Sequence, residues 1–249
     1  LDLDNLSLDF RREGQMLNGR FSSRQVEGEI QIPDNIPQQP VRARLKRLSL
    51  NYAPGQPDKP QRNASSSADP SRLPAIDLEV EKTEINGKDF GKLQLISRHT
   101  PTGQELQTFS LKGRQLQLSA SGSWSRTDAG DQQSRLQLSM TSDSLGNLLD
   151  DLGYPKYISR APAEFDSQLD WRDSPAGFRP DILNGQIRLK LGNGQFLNVD
   201  PGIGRVFGLL NITVLQRRLS VDFSDLLHKG LAFDSVEGSF ELDSGDAYT

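Results

Sequence analysis

The chain has no cysteine, only two histidines, and no apolar run long enough to cross a membrane. Without cysteine there are no disulfides, thiolate nucleophiles or thiolate metal sites. The absence does not fix a compartment, because oxidising surroundings permit disulfides without requiring them. A spanning helix needs about 20 apolar residues, and no charged and apolar leader precedes Leu1. The chain therefore reads as an excised fragment whose signal or anchor, if it has one, lies outside it. There is no basic excess either. With 29 Lys and Arg against 33 Asp and Glu, the net charge is −4, and no electrostatic footprint for nucleic acid is expected. Apolar residues make up 34% of 249, which is modest for core building, yet the length suffices for one large β-rich domain or two smaller ones.

Recognisable catalytic patterns are also missing. His99 and His228 are far apart and stand in no metal-ligand spacing. There is no G-x-S-x-G nucleophile elbow. Asp150 with Asp151, and Asp222 with Asp225, read as turn formers and caps rather than as paired acids. Gly202, Gly204 and Gly208 give a spacing one residue longer than the dinucleotide fingerprint, with no surrounding alternation of strands and helices. "GKDFGK", Gly87 to Lys92, is one residue short of a phosphate loop, and Leu93 stands where a magnesium-binding hydroxyl belongs; a hairpin turn is expected there. The patterns at Asn63 and Asn211 match glycosylation acceptors by coincidence. No catalytic residue, metal ligand or cofactor is predicted.

What the chain has in quantity is alternation of period two, which puts apolar side chains on one face of a sheet and polar ones on the other. Leu116, Leu118, Ala120, Gly122 and Trp124 form one file, and Leu136, Leu138 and Met140 another. Ile187, Leu189 and Leu191 form a third, and Ile76, Leu78 and Val80 a fourth; Leu219, Val221 and Phe223, then Val236, Gly238, Phe240 and Leu242, continue the pattern. About a dozen strands are expected. The phase slips twice, near Asn5 and near Lys46, and a bulge at each place would keep the apolar set on one face. Bulged, long strands suit a curved sheet. Residues 53–74 are rich in Pro, Gly, Ser, Asp and Asn and read as a flexible loop inserted in one continuous sheet; Pro33 to Pro40 reads as a shorter connection. Trp124 and Trp171 close their strands, where a large ring packs the end of a core or, in the sharper alternative, anchors at a membrane interface.

Two segments switch to helical spacing. Near 143–152, Leu145, Leu148, Leu149 and Leu152 share a face, with Ser142 or Asp143 as cap, Gly153 as stop and Pro155 beyond. Near 201–215, Asp200 caps and Pro201 opens a helix with Ile203, Val206, Phe207, Leu210 and Val214 in one stripe. Leu209 and Ile212 lie on its reverse side, so it needs more than one neighbour. The strands must hide their apolar faces, and two helices cannot cover them all. Either the sheet closes on itself as a sandwich or barrel, or it stays open and curved, with an elongated apolar groove for acyl chains. Low apolar content and long one-sided strands favour the groove.

The C-terminal part carries a resemblance. From Asn184 to Thr249 the turn Gly192-Asn193-Gly194, then "GIGRVFGLLNI", then "RRLSVDFSDLLHKGLAFDSVEG" (Arg217 to Gly238) stand in the order found in the C-terminal region of AsmA-like envelope proteins of Gram-negative bacteria. Upstream, "SDSLGNLLDDLGY" and "FDSQLDW" resemble the helix and strand that precede that region. The resemblance spans 142–249 and implies a mainly β fold: a long, curved and twisted antiparallel sheet forming one continuous groove over 1–249. It further implies a section of an inner-membrane-anchored periplasmic conduit that carries phospholipids between the two membranes, with no enzymatic residue set. Its membrane contacts would be an anchor outside this fragment and the C-terminal end, and an envelope protein partner is compatible with it. Carried over by position, the groove lining would be Leu116, Leu118, Leu136, Leu138, Ile187, Leu189, Leu191 and Phe233. Ile203, Val206, Phe207 and Leu210 would pack, plug the groove or touch a membrane. The alternative is a structural or partner-docking β domain, closed as a sandwich or barrel and without lipid.

Overall fold

A computed structural model describes residues 5–36, 38–54, 69–197, 211–213 and 230–249. The alternating files become strands: β1 (Ser7–Glu13), β2 (Met16–Ser22), β3 (Val26–Pro33), β4 (Val41–Leu50), β5 (Ile76–Ile85), β6 (Lys88–Thr100), β7 (Gly103–Lys112), β8 (Leu116–Arg126) and β9 (Gln132–Ser142). Then follow β10 (Ile158–Arg160), β11 (Ala163–Trp171), β12 (Asn184–Leu191), β13 (Gly194–Phe196), β14 (Asn211–Thr213), β15 (Leu231–Phe233), β16 (Ser235–Asp243) and β17 (Asp246–Tyr248). Fourteen of them form one sheet in the order β1 to β9, β11, β12, β16, β14, with β17 also on β16. β1 and β14 end this path and do not pair with each other, so the sheet is open and is not a closed barrel.

Neighbouring strands are antiparallel with one exception. β4 and β5 run parallel, Val41 beside Ile76 through Leu50 beside Ile85, the one departure from the expected antiparallel pairing. The reason lies in the connection. A parallel pair needs a crossover of a dozen or more residues to return the chain to its starting end, and the segment between Leu50 and Ile76 supplies it. The Pro- and Ser-rich segment is thus the link that the topology requires; its residues 55–68 lie outside the described ones.

The bulge expected near Lys46 is present. Glu27 pairs with Arg47 and Gly28 with Leu45, leaving Lys46 as the extra residue, so Leu45 and Leu48 keep the same face. Near Asn5 the structure has a turn instead: Asn5 has φ 53°, and β1 starts only at Ser7. Another slip, between Leu106 and Phe109 in β7, absorbs Gln107 and Thr108 against Ser121. Each bulge bends its strand and adds local twist.

Helix α1 spans Leu145–Asp151. Its cap is Ser144 rather than Ser142 or Asp143: Ser144 Oγ accepts from the Asn147 amide at 3.3 Å, while the Ser142 hydroxyl accepts from the Ser144 amide. At the far end Gly153 takes φ 87°. Its amide donates to Asp150 O and that of Tyr154 to Leu149 O, each at 2.9 Å, the paired bonds that finish a helix on a left-handed glycine. The second helix does not hold over its whole expected span. Asn211–Thr213 form strand β14 on the edge of β16, where β-branched Ile212 and Thr213 suit extended backbone and the edge amides of β16 gain partners. Residues 201–210 and 214–215 lie outside the described ones.

A second sheet, in the order β10, β13, β15, repeats the order of β11, β12, β16. Each short strand adjoins its long one in sequence, through Ala161-Pro162, Gly192-Asn193 and Asp234. The chain thus breaks at one level in three neighbouring strands. One corner is strained: Arg160 and Ala161 both have φ 60°, a conformation that costs L-residues about 1–2 kcal/mol each. Ala161 is fully buried there, and its carbonyl accepts from the Leu145 amide at 2.8 Å.

Candidate functional site

The pairing register turns separate alternations into continuous rows. One row runs Phe10, Gly19, Ile30, Ala43, Leu78, Leu95, Phe109, Ala120, Leu138, Ser167, Ile187, Phe240, each residue opposite the next on the neighbouring strand. The row beside it is Leu8, Phe21, Gly28, Leu45, Val80, Leu93, Leu111, Leu118, Met140, Phe165, Leu189, Gly238. A third, over the later strands, is Leu106, Gly122, Leu136, Leu169, Gly185, Leu242. No Asp, Glu, Lys or Arg stands in any of the three. With strands about 4.8 Å apart, the first two rows extend for about 50 Å across the sheet. Most of their members are half-buried rather than sealed. At the β1 edge Leu8 is 54% and Phe10 50% exposed.

The opposite face has a different chemistry. Its middle row reads Asp9, Arg20, Glu29, Arg44, Glu79, Gln94, Ser110, Ser119, Ser139, Asp166, Arg188. Charges of opposite sign alternate over the first five strands, with Arg20 to Glu29 at 3.1 Å and Arg44 to Glu79 at 3.4 Å. A hydrogen bond from the guanidinium to Asp77 strengthens the Arg44 charge and raises its pKa. Such exposed pairs contribute under about 1 kcal/mol each but favour one register over its neighbours. Three successive serines then leave a shallow recess of about 570 Å³ between longer Gln, Asp and Arg side chains. No apolar side chain stands in this row.

Over the later strands the apolar face is bordered at both strand ends. At one end the row Leu116, Ser142, Ala163, Leu191, Val236 is buried throughout. Helix α1 covers its first part, Leu148 packing on Phe90, Leu111 and Leu116. The small sheet covers the rest, with Ile158, Ala161 and Phe233 on Ala163, Leu191 and Val236. Phe196 lies over Phe233 with ring centroids 4.6 Å apart. The helix sits close, since a Cβ on Gly146 would come within 2.6 Å of Ile158 O. Its C-terminal end is held by Asn86, whose Oδ1 accepts from Tyr52 N at 2.8 Å and whose Nδ2 donates to Leu152 O at 3.2 Å. The Tyr52 and Tyr154 hydroxyls meet at 2.8 Å.

At the other end of the strands Trp124, Ser134 and Trp171 stand in a row. Trp171 is 4% exposed and meets Phe178 edge to face at 5.4 Å. Its Nε1 donates to Ser174 O, and Ser134 Oγ donates to Asp173 O. Over β7 and β8 the 3₁₀ turn Pro70–Arg72 is tied down by Gln104, whose Nε2 donates to Leu73 O at 2.7 Å. Between the two borders the three apolar rows form an open band.

Of the lining residues expected from sequence, Leu118, Leu136, Leu138, Ile187 and Leu189 stand in these rows and are half-buried. Leu116 and Leu191 are buried beneath α1 and the small sheet, and Phe233 is buried as part of that small sheet, in the cover rather than in the lining. Ile203, Val206, Phe207 and Leu210 lie outside the described residues. The sequence reading missed the first half of the band, where Phe10, Ile30, Leu95 and Phe109 belong to the same row as Leu138. The signal was present in their own alternation, but only register joins them. His99 pairs with Gln104 across β6 and β7, and Asp150 and Asp151 pair with Lys156 and Lys88 at the end of α1. "GKDFGK" is part of a hairpin, turning at Asn86 and Gly87 with φ 53° and 73°, the pair favoured in tight β-turns. Among the described residues no helix is long and apolar enough to cross a membrane.

A protein-family model described as YhdP protein matches residues 1–249. The intermembrane phospholipid transporter YhdP of Escherichia coli (strain K12) is 28% identical over 135 residues, which cover 53% of this chain and 10% of that protein. The chain therefore spans about a tenth of that relative's length. No solved structure matches.

Proposed function

The chain belongs to the YhdP family, and from that premise we propose that it is a section of a bridge-like conduit carrying phospholipids between the inner and outer membranes. The observation that carries this reading is the apolar band, about 50 Å long, uninterrupted by charge and, over its later strands, bordered by protein at both strand ends. Acyl chains lie on the band as in a hydrophobic groove, each buried CH₂ contributing about 0.8 kcal/mol, while the hydrophilic opposite face meets water. Movement along the band breaks and remakes equivalent apolar contacts, so no reaction and no cofactor are involved. The section works in the periplasm, with the inner-membrane anchor outside this chain and the C-terminal end directed toward the outer membrane.

Burial of Leu116 and Leu191 beneath α1 and the small sheet, with Phe233 taken up in that cover, favours one other reading, a β domain that docks a protein partner on its remaining apolar surface. Photocrosslinking amino acids in cells separate the two. Placed at Leu118, Leu138 and Leu189, they should capture phospholipid, and at Ser119, Ser139 and Arg188 on the opposite face they should not. Capture of protein alone at the apolar positions, or equal lipid capture on both faces, refutes the conduit.

A further inference from the structure

Six polar residues are buried among the described ones: Ser23, Thr83, Ser134, Ser142, Ser167 and Ser174. Four have clear work. Ser23 bonds the turn at Val26, Ser134 donates to Asp173 O, Ser142 accepts from the Ser144 amide and Ser174 from the Gly177 amide. Thr83 Oγ1 is sealed without a partner at an irregularity between β5 and β6. Ser167 differs from all of them. It is 5% exposed, and its hydroxyl has no hydrogen-bond partner among the described residues, yet it is not a sealed atom like Thr83 Oγ1.

Its position gives this meaning. Ser167 stands in the first apolar row between Leu138 and Ile187 and, along β11, between Phe165 and Leu169. It is the one hydroxyl within the three rows. An unpaired hydroxyl in such surroundings is unfavourable, and an alanine or valine would fit the pattern of its neighbours. We propose that Ser167 is a lipid-binding residue whose hydroxyl donates a hydrogen bond to an ester carbonyl of a glycerolipid lying on the band. The chemistry selects that group. An ester carbonyl is a neutral acceptor placed beside the first methylenes of an acyl chain, so it can reach an apolar floor without bringing a charge. A phosphate would need a cation, and the rows contain none. The contact marks one preferred register of the lipid along the band, and it rests on the conduit reading.

The test compares diester phosphatidylglycerol with its diether analogue, which keeps the head group and chains but lacks the carbonyls. Binding to the purified chain is measured by native mass spectrometry and by competition with a fluorescent lipid. One neutral hydrogen bond predicts that wild type prefers the diester by about two- to tenfold. Ser167→Ala should bind both lipids with the affinity wild type has for the diether, and Ser167→Thr, which keeps the hydroxyl, should retain the preference. An unchanged melting temperature for Ser167→Ala separates this from a folding defect. Equal binding of the two lipids by wild type, or a preference that survives in Ser167→Ala, overturns the proposal and leaves the conduit standing. Failure of both lipids to bind overturns the conduit reading and this contact with it.

Discussion

Replacing Leu148 with alanine should release helix α1 without unfolding the sheet beneath it. Leu148 is 5% exposed and packs against Phe90, Leu111 and Leu116. Truncating a leucine in such a place costs about 2–5 kcal/mol. The helix has seven residues, about 10 Å of length, far below what is stable alone in water. Its order therefore depends on this packing, on the Ser144 cap and on Asn86. Most of the lost free energy should appear as local opening. Hydrogen exchange reads it directly, through the amides of Leu148, Leu152, Gly153 and Tyr154, which donate within the helix and its end. Their exchange should rise by about thirty- to several thousandfold, while amides in the middle of β7, β8 and β9 change at least tenfold less. Two results would contradict this expectation. If the helix amides keep their protection, Leu148 is not what holds α1; if sheet and helix amides rise together, the cover and the sheet are one cooperative unit and the border cannot open separately.

Two further substitutions test other parts of the framework. Asn86→Ala removes hydrogen bonds to Tyr52 N and Leu152 O at a residue with φ 53° and should lower stability by about 2–4 kcal/mol in urea titrations; Asn86→Gly, which accepts that φ, should cost roughly half as much, and equal costs would show that backbone strain is irrelevant there. Arg160→Gly should stabilise the chain by about 0.5–1 kcal/mol, because Arg160 is exposed and its φ of 60° is unfavourable for any side chain; a fall in melting temperature would mean that the arginine side chain makes a contact of its own.

Much of the fold was legible residue by residue, since alternation needs only neighbours in sequence. The strands, the bulge at Lys46, the helix around Leu148 and the hairpin after Ile85 follow from local spacing and turn chemistry. The parallel pairing of β4 and β5 does not. Alternation is the same for either direction, and a Pro- and Ser-rich link reads alike as an insertion or as a crossover. The span 211–213 misled for a related reason. A short apolar stretch fits helical and extended periods equally, and the free edge of β16, invisible in sequence, decided for the strand. Ser167 was hidden by its own pattern, because one serine in an alternating strand looks like an ordinary small residue until its neighbours on β9 and β12 are known.

Side-chain type and a period of two were enough to call for β-strands with one apolar and one polar face. Assembly of the strands settled the rest: the apolar faces line up over about 50 Å, the sheet stays open, and α1 and the small sheet cover one end of the later strands while Trp171 and Phe178 border the other. Those outcomes depend on register between strands far apart in the chain, where a shift of one residue would turn every leucine to the opposite face.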